Sequence, residues 1–276
     1  MSDPVPAIAE TSATGETAAL FADIRKVYGV SVVNLIWRHL ATIDGALPHV
    51  WGAVRPLYAD GTIAQEAEFL GAGLAVPTPP EVPRCVLEAA GLGAEARDGI
   101  ARVMAAYDRT NAMALLALSA ARARLAGQGG VPWQPGKEAP APEASMVLPP
   151  LLDLATMAPG PAALVTALNR MGSDRAEPVL ASMWRNLAHW PSFLALAWPV
   201  LAPLDADGRL EHAVAGGLAL ARNRAAALPC VAEVPPLDPA LVPQVDAALA
   251  TFTGDAIARM LIVTRVLRAA FGAALR

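Results

Sequence analysis

Apolar residues recur three and four positions apart through 16–28, 94–125 and 238–275, and Ala, Arg, Glu and Asp fill much of the rest of these spans. That spacing lays one apolar stripe along a helix, and Ala, Leu, Arg and Glu are strong helix formers. Helices are therefore predicted over all three spans. Strands would instead leave sustained alternation, rich in Val, Ile, Thr or Tyr, between hairpin turns, and no stretch has it. The predicted fold class is all-α.

Near mid-chain the periodicity stops. Residues 127–145 read GQGGVPWQPGKEAPAPEAS, where Gly and Pro prevent a continuous helix and Pro-Ala-Pro favours an extended chain. A linker at this position invites comparison of the two halves. Trp37-Arg38-His39-Leu40-Ala41 matches Trp184-Arg185-Asn186-Leu187-Ala188 at a separation of 147. Leu47 meets Leu194, Trp51 meets Trp198, and Pro56-Leu57 meets Pro203-Leu204 at the same separation. Cys85-Val86-Leu87-Glu88 then matches Cys230-Val231-Ala232-Glu233 at 145, which also aligns Tyr107 with Phe252 and Leu115-Leu116 with Met260-Leu261. The expected organisation is an N-terminal tail (1–15), a helical repeat (16–126), the linker (127–145) and a second repeat (146–276). The repeats are expected to pack as a pseudo-twofold dimer, with a small-ligand pocket at their junction.

Composition narrows the function classes. Hydrophobic residues are 55% of the chain and charged ones 17%, with a net charge of -4 and no basic stripe. The attraction that drives nucleic-acid binding is therefore missing. Two cysteines are too few for a disulfide scaffold, which points to a reducing, cytoplasmic setting. No basic start followed by an apolar run marks a secretory signal. The stretch 186–204 lacks charged residues, but Pro191 would break it before it could cross a bilayer, so no membrane span is expected.

The second half carries Ser182-Met183-Trp184-Arg185-Asn186-Leu187-Ala188-His189-Trp190-Pro191, and the first carries Asn111-Ala112-Met113-Ala114-Leu115-Leu116. With Leu40-Ala41-Thr42 and the two-copy plan, these segments resemble the group I, non-stereospecific 2-haloacid dehalogenases from about Glu16 onward. The resemblance implies an all-helical pseudo-dimer of repeats, further dimerisation, and a largely apolar substrate pocket between the halves. The implied reaction is hydrolytic: an aspartate activates water to attack the halogen-bearing carbon directly, and an asparagine helps hold that water. No metal or organic cofactor is implied. Carried across position by position, the asparagine falls on Asn111 and the serine preceding the aspartate falls on Ser182. Pocket aromatics fall on Val32, Leu35 and Ala114, and a further tyrosine falls near Phe252. The aspartate itself falls on Met183. A thioether takes no proton near neutral pH, so the general base is missing.

Asp108 stands one helical turn before Asn111 and is the candidate for a relocated base, the alternative being a solvated carboxylate beside Arg109. Met183 shares a stripe with Val179, Leu180, Leu187 and Trp190, as core or as pocket wall. Arg38 and Arg185 follow repeated tryptophans and suit either carboxylate recognition or a structural role. His39, His49, His189 and His212 lack metal-ligand spacing, and no phosphate loop or nucleophile elbow occurs. Two readings follow. One is a hydrolase acting on a small 2-substituted carboxylic acid. The other is a catalytically silent relative that binds a small apolar ligand or a protein partner between the repeats.

Overall fold

The computed structural model describes residues 5–128, 130–135, 139 and 146–276. Positions 1–4 of the tail and 129, 136–138 and 140–145 of the linker lie outside the described residues. The fold is all-α, as the periodicity predicts. Its helices run α1 (Gly15–Tyr28), α2 (Leu35–Leu40), α3 (Ala46–Ala59), α4 (Thr62–Gly73), α5 (Arg84–Ala89) and the long α6 (Ala94–Leu125). After the linker come α7 (Pro159–Arg170), α8 (Ser182–Leu187), α9 (Pro191–Ala206), α10 (Arg209–Ala226), α11 (Val242–Thr251) and α12 (Ala258–Leu275). Among the described residues the only β-type pairings are two isolated bridges, Val30 with Met146 and Pro132 with Cys230.

Local chemistry sets several of these ends. Gly29 closes α1 with φ of 68°, its N–H donating to the Arg25 carbonyl, a conformation that costs glycine little. Pro191 opens α9 in the first turn, where no N–H is needed, and so divides the uncharged stretch 186–204. No described helix is long and apolar enough to cross a membrane. The span 238–275 is not one α-helix: a π-helical turn at Phe252–Ile257 joins α11 to α12.

Helix α6 packs against α12, α10, α4, α11 and α3, and α12 is buried along most of its length. Helix boundaries recur along the chain: α2 and α8 both begin and end 147 positions apart, and α4 and α10 begin 147 apart. The recurring tryptophans are nevertheless treated differently. Trp37 donates its Nε1 proton to the Tyr28 hydroxyl (3.2 Å), inside a cluster with Trp51 and Tyr58. The position matching Tyr28 is Arg175, and the fully buried Trp184 Nε1 has no acceptor among the described residues. An orphaned buried donor forfeits about 1–3 kcal/mol. Both Trp→Phe changes carry the cost of a smaller buried ring, and Trp37→Phe is expected to cost about 1–2 kcal/mol more than Trp184→Phe in urea unfolding. Equal losses would mean that both indoles are satisfied.

Candidate functional site

Segments from both halves of the chain enclose a small cavity. Val32–Ile36, at the entry to α2, and Val179–Met183, at the entry to α8, line it together with Tyr107 and Asn111 of α6 and Phe252 and Ala256 of the π-turn. Lining residues thus come in sequence-equivalent pairs, 147 positions apart in the loops and 145 apart on the long helices. The cavity measures about 50 Å³. Since a water needs about 10–15 Å³ of such space, there is room for about three to five non-hydrogen atoms.

The walls are mostly aliphatic. Polar groups come from Asn34, Tyr107, Asn111 and Ser182. Asn111 is only 5% exposed, and its Nδ2 has no hydrogen-bond partner among the described residues. Tyr107 donates to Asn186 Oδ1 at 2.7 Å, and Asn186 Nδ2 donates to the Pro149 carbonyl at 2.6 Å. Burial pushes the Tyr107 phenol well above its ordinary range, opposed by the Arg185 and Arg38 guanidinium groups and by a hydrogen bond with Ser182. Two cations therefore stand within electrostatic reach of the Tyr107 end of the cavity. Arg38 donates to the Val33 carbonyl and Arg185 to the Leu152 carbonyl.

The second-half wall is held by a buried ion pair. Arg259 donates to Asp255 at 3.0 Å, to the Val179 carbonyl at 3.2 Å and to the Asn169 carbonyl. Asp255 accepts in turn from Ser173 Oγ and from the Val179 amide, both at 3.1 Å. Asn169 Oδ1 accepts from the Ala181 amide at 3.0 Å. These bonds pin the residues that precede α8, and with them the position of Met183. Burial lowers the Arg259 pKa, and Asp255 opposes that shift.

Of the residues singled out in the sequence, Val32, Leu35, Asn111, Ser182, Met183 and Phe252 line this cavity. Asp108 does not. Its carboxylate accepts from Arg265 at 2.7 Å and from Arg268 on α12, in a separate surface hollow with Val76 and Thr78. A relocated base at Asp108 is thereby excluded by geometry, because α6 turns residues 107 and 111 toward the cavity and 108 toward α12. Ala114 is fully buried and is not part of the lining. Met183 is fully buried, with Sδ 3.0 Å from the Thr264 hydroxyl. Tyr107 was not anticipated as a site residue, although two signals marked it: it stands one turn before Asn111, and it is the polar counterpart of Phe252. Among the described residues no cluster of three or more His, Cys, Asp or Glu is placed to hold a metal ion.

No protein-family model and no curated protein sequence matches the chain. Solved structures do. A D-2-haloacid dehalogenase mutant superposes with a TM-score of 0.76 at 17% identity, covering 97% of this chain and 96% of that one. A complex of D-2-haloacid dehalogenase with L-LA gives 0.77 at 17% identity, covering 97% of each chain. A mutant in complex with D-2-CPA gives 0.70 at 18% identity, over 97% and 96%. At such identities the likeness is one of fold, and it spans nearly the whole of both chains.

Proposed function

We propose that the protein binds a small carboxylic acid with an apolar substituent in the cavity between its two halves, without hydrolysing it. The observation that carries this reading is Asn111, which lines a mostly aliphatic cavity and whose buried Nδ2 donor has no partner among the described residues. Such a donor costs free energy until an acceptor reaches it, so an acceptor-bearing ligand gains what the empty protein forgoes. Arg38 and Arg185, near the Tyr107 end, favour a negatively charged ligand. The fold shared with D-2-haloacid dehalogenases supports a small organic acid of about this size, and the paired lining supports a duplicated unit with its ligand at the junction.

Hydrolysis is set aside on chemical grounds. Attack of water on carbon needs a proton acceptor, which typically contributes about 10²–10⁴ in rate. The lining offers amides, hydroxyls and a thioether, and the carboxylate of Asp255 is engaged with Arg259, Ser173 and Val179. The expected result is therefore saturable binding of acetate and propionate in ligand-observed NMR, with no bromide release from either 2-bromopropionate enantiomer. Asn111→Leu should weaken binding about tenfold, the loss of one hydrogen bond to a charged group. Bromide release by the wild-type protein would sink the binding-only reading.

A further inference from the structure

Helix α3, the end of α6 and the segment 229–234 enclose a second cavity, of about 260 Å³, which shares no residue with the first. Val50, Val54 and Leu57 of α3, Ala121 and Leu125 of α6, and Val231 supply aliphatic walls. The Cys230 backbone in this lining pairs with residues 131 and 133. Cys230 donates its N–H to the Val131 carbonyl at 2.7 Å and accepts from the Trp133 N–H at 2.8 Å. An aliphatic cavity of about 150 Å³ already holds benzene, so this space suits a larger apolar body.

One wall is cationic. Arg124 lines the cavity and donates to the Gln128 carbonyl at 2.9 Å and to the Leu228 carbonyl at 2.6 Å. Its Nε is buried and has no acceptor among the described residues. Carbonyls satisfy donors but leave the charge uncompensated. Arg55, Arg122, Arg224, Arg259 and Arg265 each sit within 3.0 Å of a carboxylate oxygen, whereas among the described residues Arg124 has no such partner. His49 adds a second polar group. Its Nδ1 lies 2.7 Å from the Pro235 carbonyl, which can only accept, so Nδ1 carries the proton there.

We propose that this cavity is a binding site for a small monocarboxylate with an extended apolar body, such as a medium-chain fatty acid, its headgroup on Arg124 and its chain among the α3 and α6 aliphatics. The pairing follows from charge and shape together: guanidinium is well matched to carboxylate, and the aliphatic walls take the chain.

Calorimetric titration of octanoate into the full chain is the test. Saturable binding is expected, weakened about tenfold or more by Arg124→Gln, as the loss of a charge-assisted hydrogen bond implies. Because Arg124 also ties down the 228–230 segment, Ala53→Phe provides a second probe: it fills the cavity without touching the cation and should also abolish binding. Asn111→Leu should leave octanoate binding unchanged, which separates this site from the one between the halves. The proposal is overturned if octanoate does not bind, if neither Arg124→Gln nor Ala53→Phe weakens it, if Asn111→Leu removes it, or if octan-1-ol binds as tightly.

Discussion

Arg259→Met is expected to cost about 3–5 kcal/mol in folding free energy, the scale for breaking a buried ion pair on one side only. The Arg259 and Asp255 side chains are 0% and 3% exposed. Removing the guanidinium strands the Asp255 carboxylate in a low-dielectric interior, takes its donor from the Asn169 carbonyl and leaves the Val179 carbonyl with Asn169 Nδ2 alone. The damage should also reach the cavity, since Val179 begins the wall that ends at Met183. Guanidinium unfolding at pH 7, with propionate binding measured on the folded fraction, reads both effects. Asp255→Leu combined with Arg259→Met removes the stranded charge, and should cost less than the two single losses added together. A single-variant loss below about 1 kcal/mol would mean that water or rearrangement satisfies the pair and that it does not hold the wall.

Met183→Asp, the substitution that places a carboxylate where the dehalogenase resemblance expects one, should cost about 3 kcal/mol or more at neutral pH and less in mild acid. The side chain is fully buried. The nearest hydroxyl, on Thr264, has a single proton and lies 2.5 Å from the Met260 carbonyl, which competes for it. Desolvation raises the pKa of a carboxyl in such a place. A group whose folded pKa lies above its unfolded value binds its proton more tightly when folded, so the deficit grows as pH rises through the unfolded pKa and shrinks as pH falls. Asp23 shows what an ionised carboxylate needs here: burial pushes its pKa up, but Arg55 and the Trp51 indole N–H donate to it and hold it below the usual carboxylate range. At Met183 the one hydrogen bond is from the Thr264 hydroxyl, and no cation is among the residues lining the cavity. The variant is expected to release no bromide from 2-bromopropionate. Wild-type stability together with bromide release would show that the site is already arranged to solvate a carboxylate.

The helices were legible because burial imposes period on sequence. Helix α6 was predicted over the same residues that form it, and Pro191 marked the start of α9. The π-turn at Phe252–Ile257 left no trace in the periodicity, because one wider turn shifts the stripe without interrupting it. Asn111, Ser182 and Met183, singled out by the resemblance, all line one cavity. Asp108 was misplaced because the angle between two residues on one helix says nothing about the neighbouring helix. Its destination was set by Arg265 and Arg268, more than 150 residues later in the chain. The Arg124 cavity was invisible for the same reason: α3, α6 and the Cys230 segment are far apart in sequence.

The paired lining of the central cavity bears on ligand direction. A pocket with identical walls related by a twofold rotation would accept a ligand equally well in two poses related by that rotation, and could not tell the ligand's head from its tail. Here the position equivalent to Asn111 is Ala256, that of Tyr107 is Phe252 and that of Ser182 is Leu35, so the two poses would differ by several polar contacts. Differences at a handful of equivalent positions are enough to give such a cavity one preferred ligand direction.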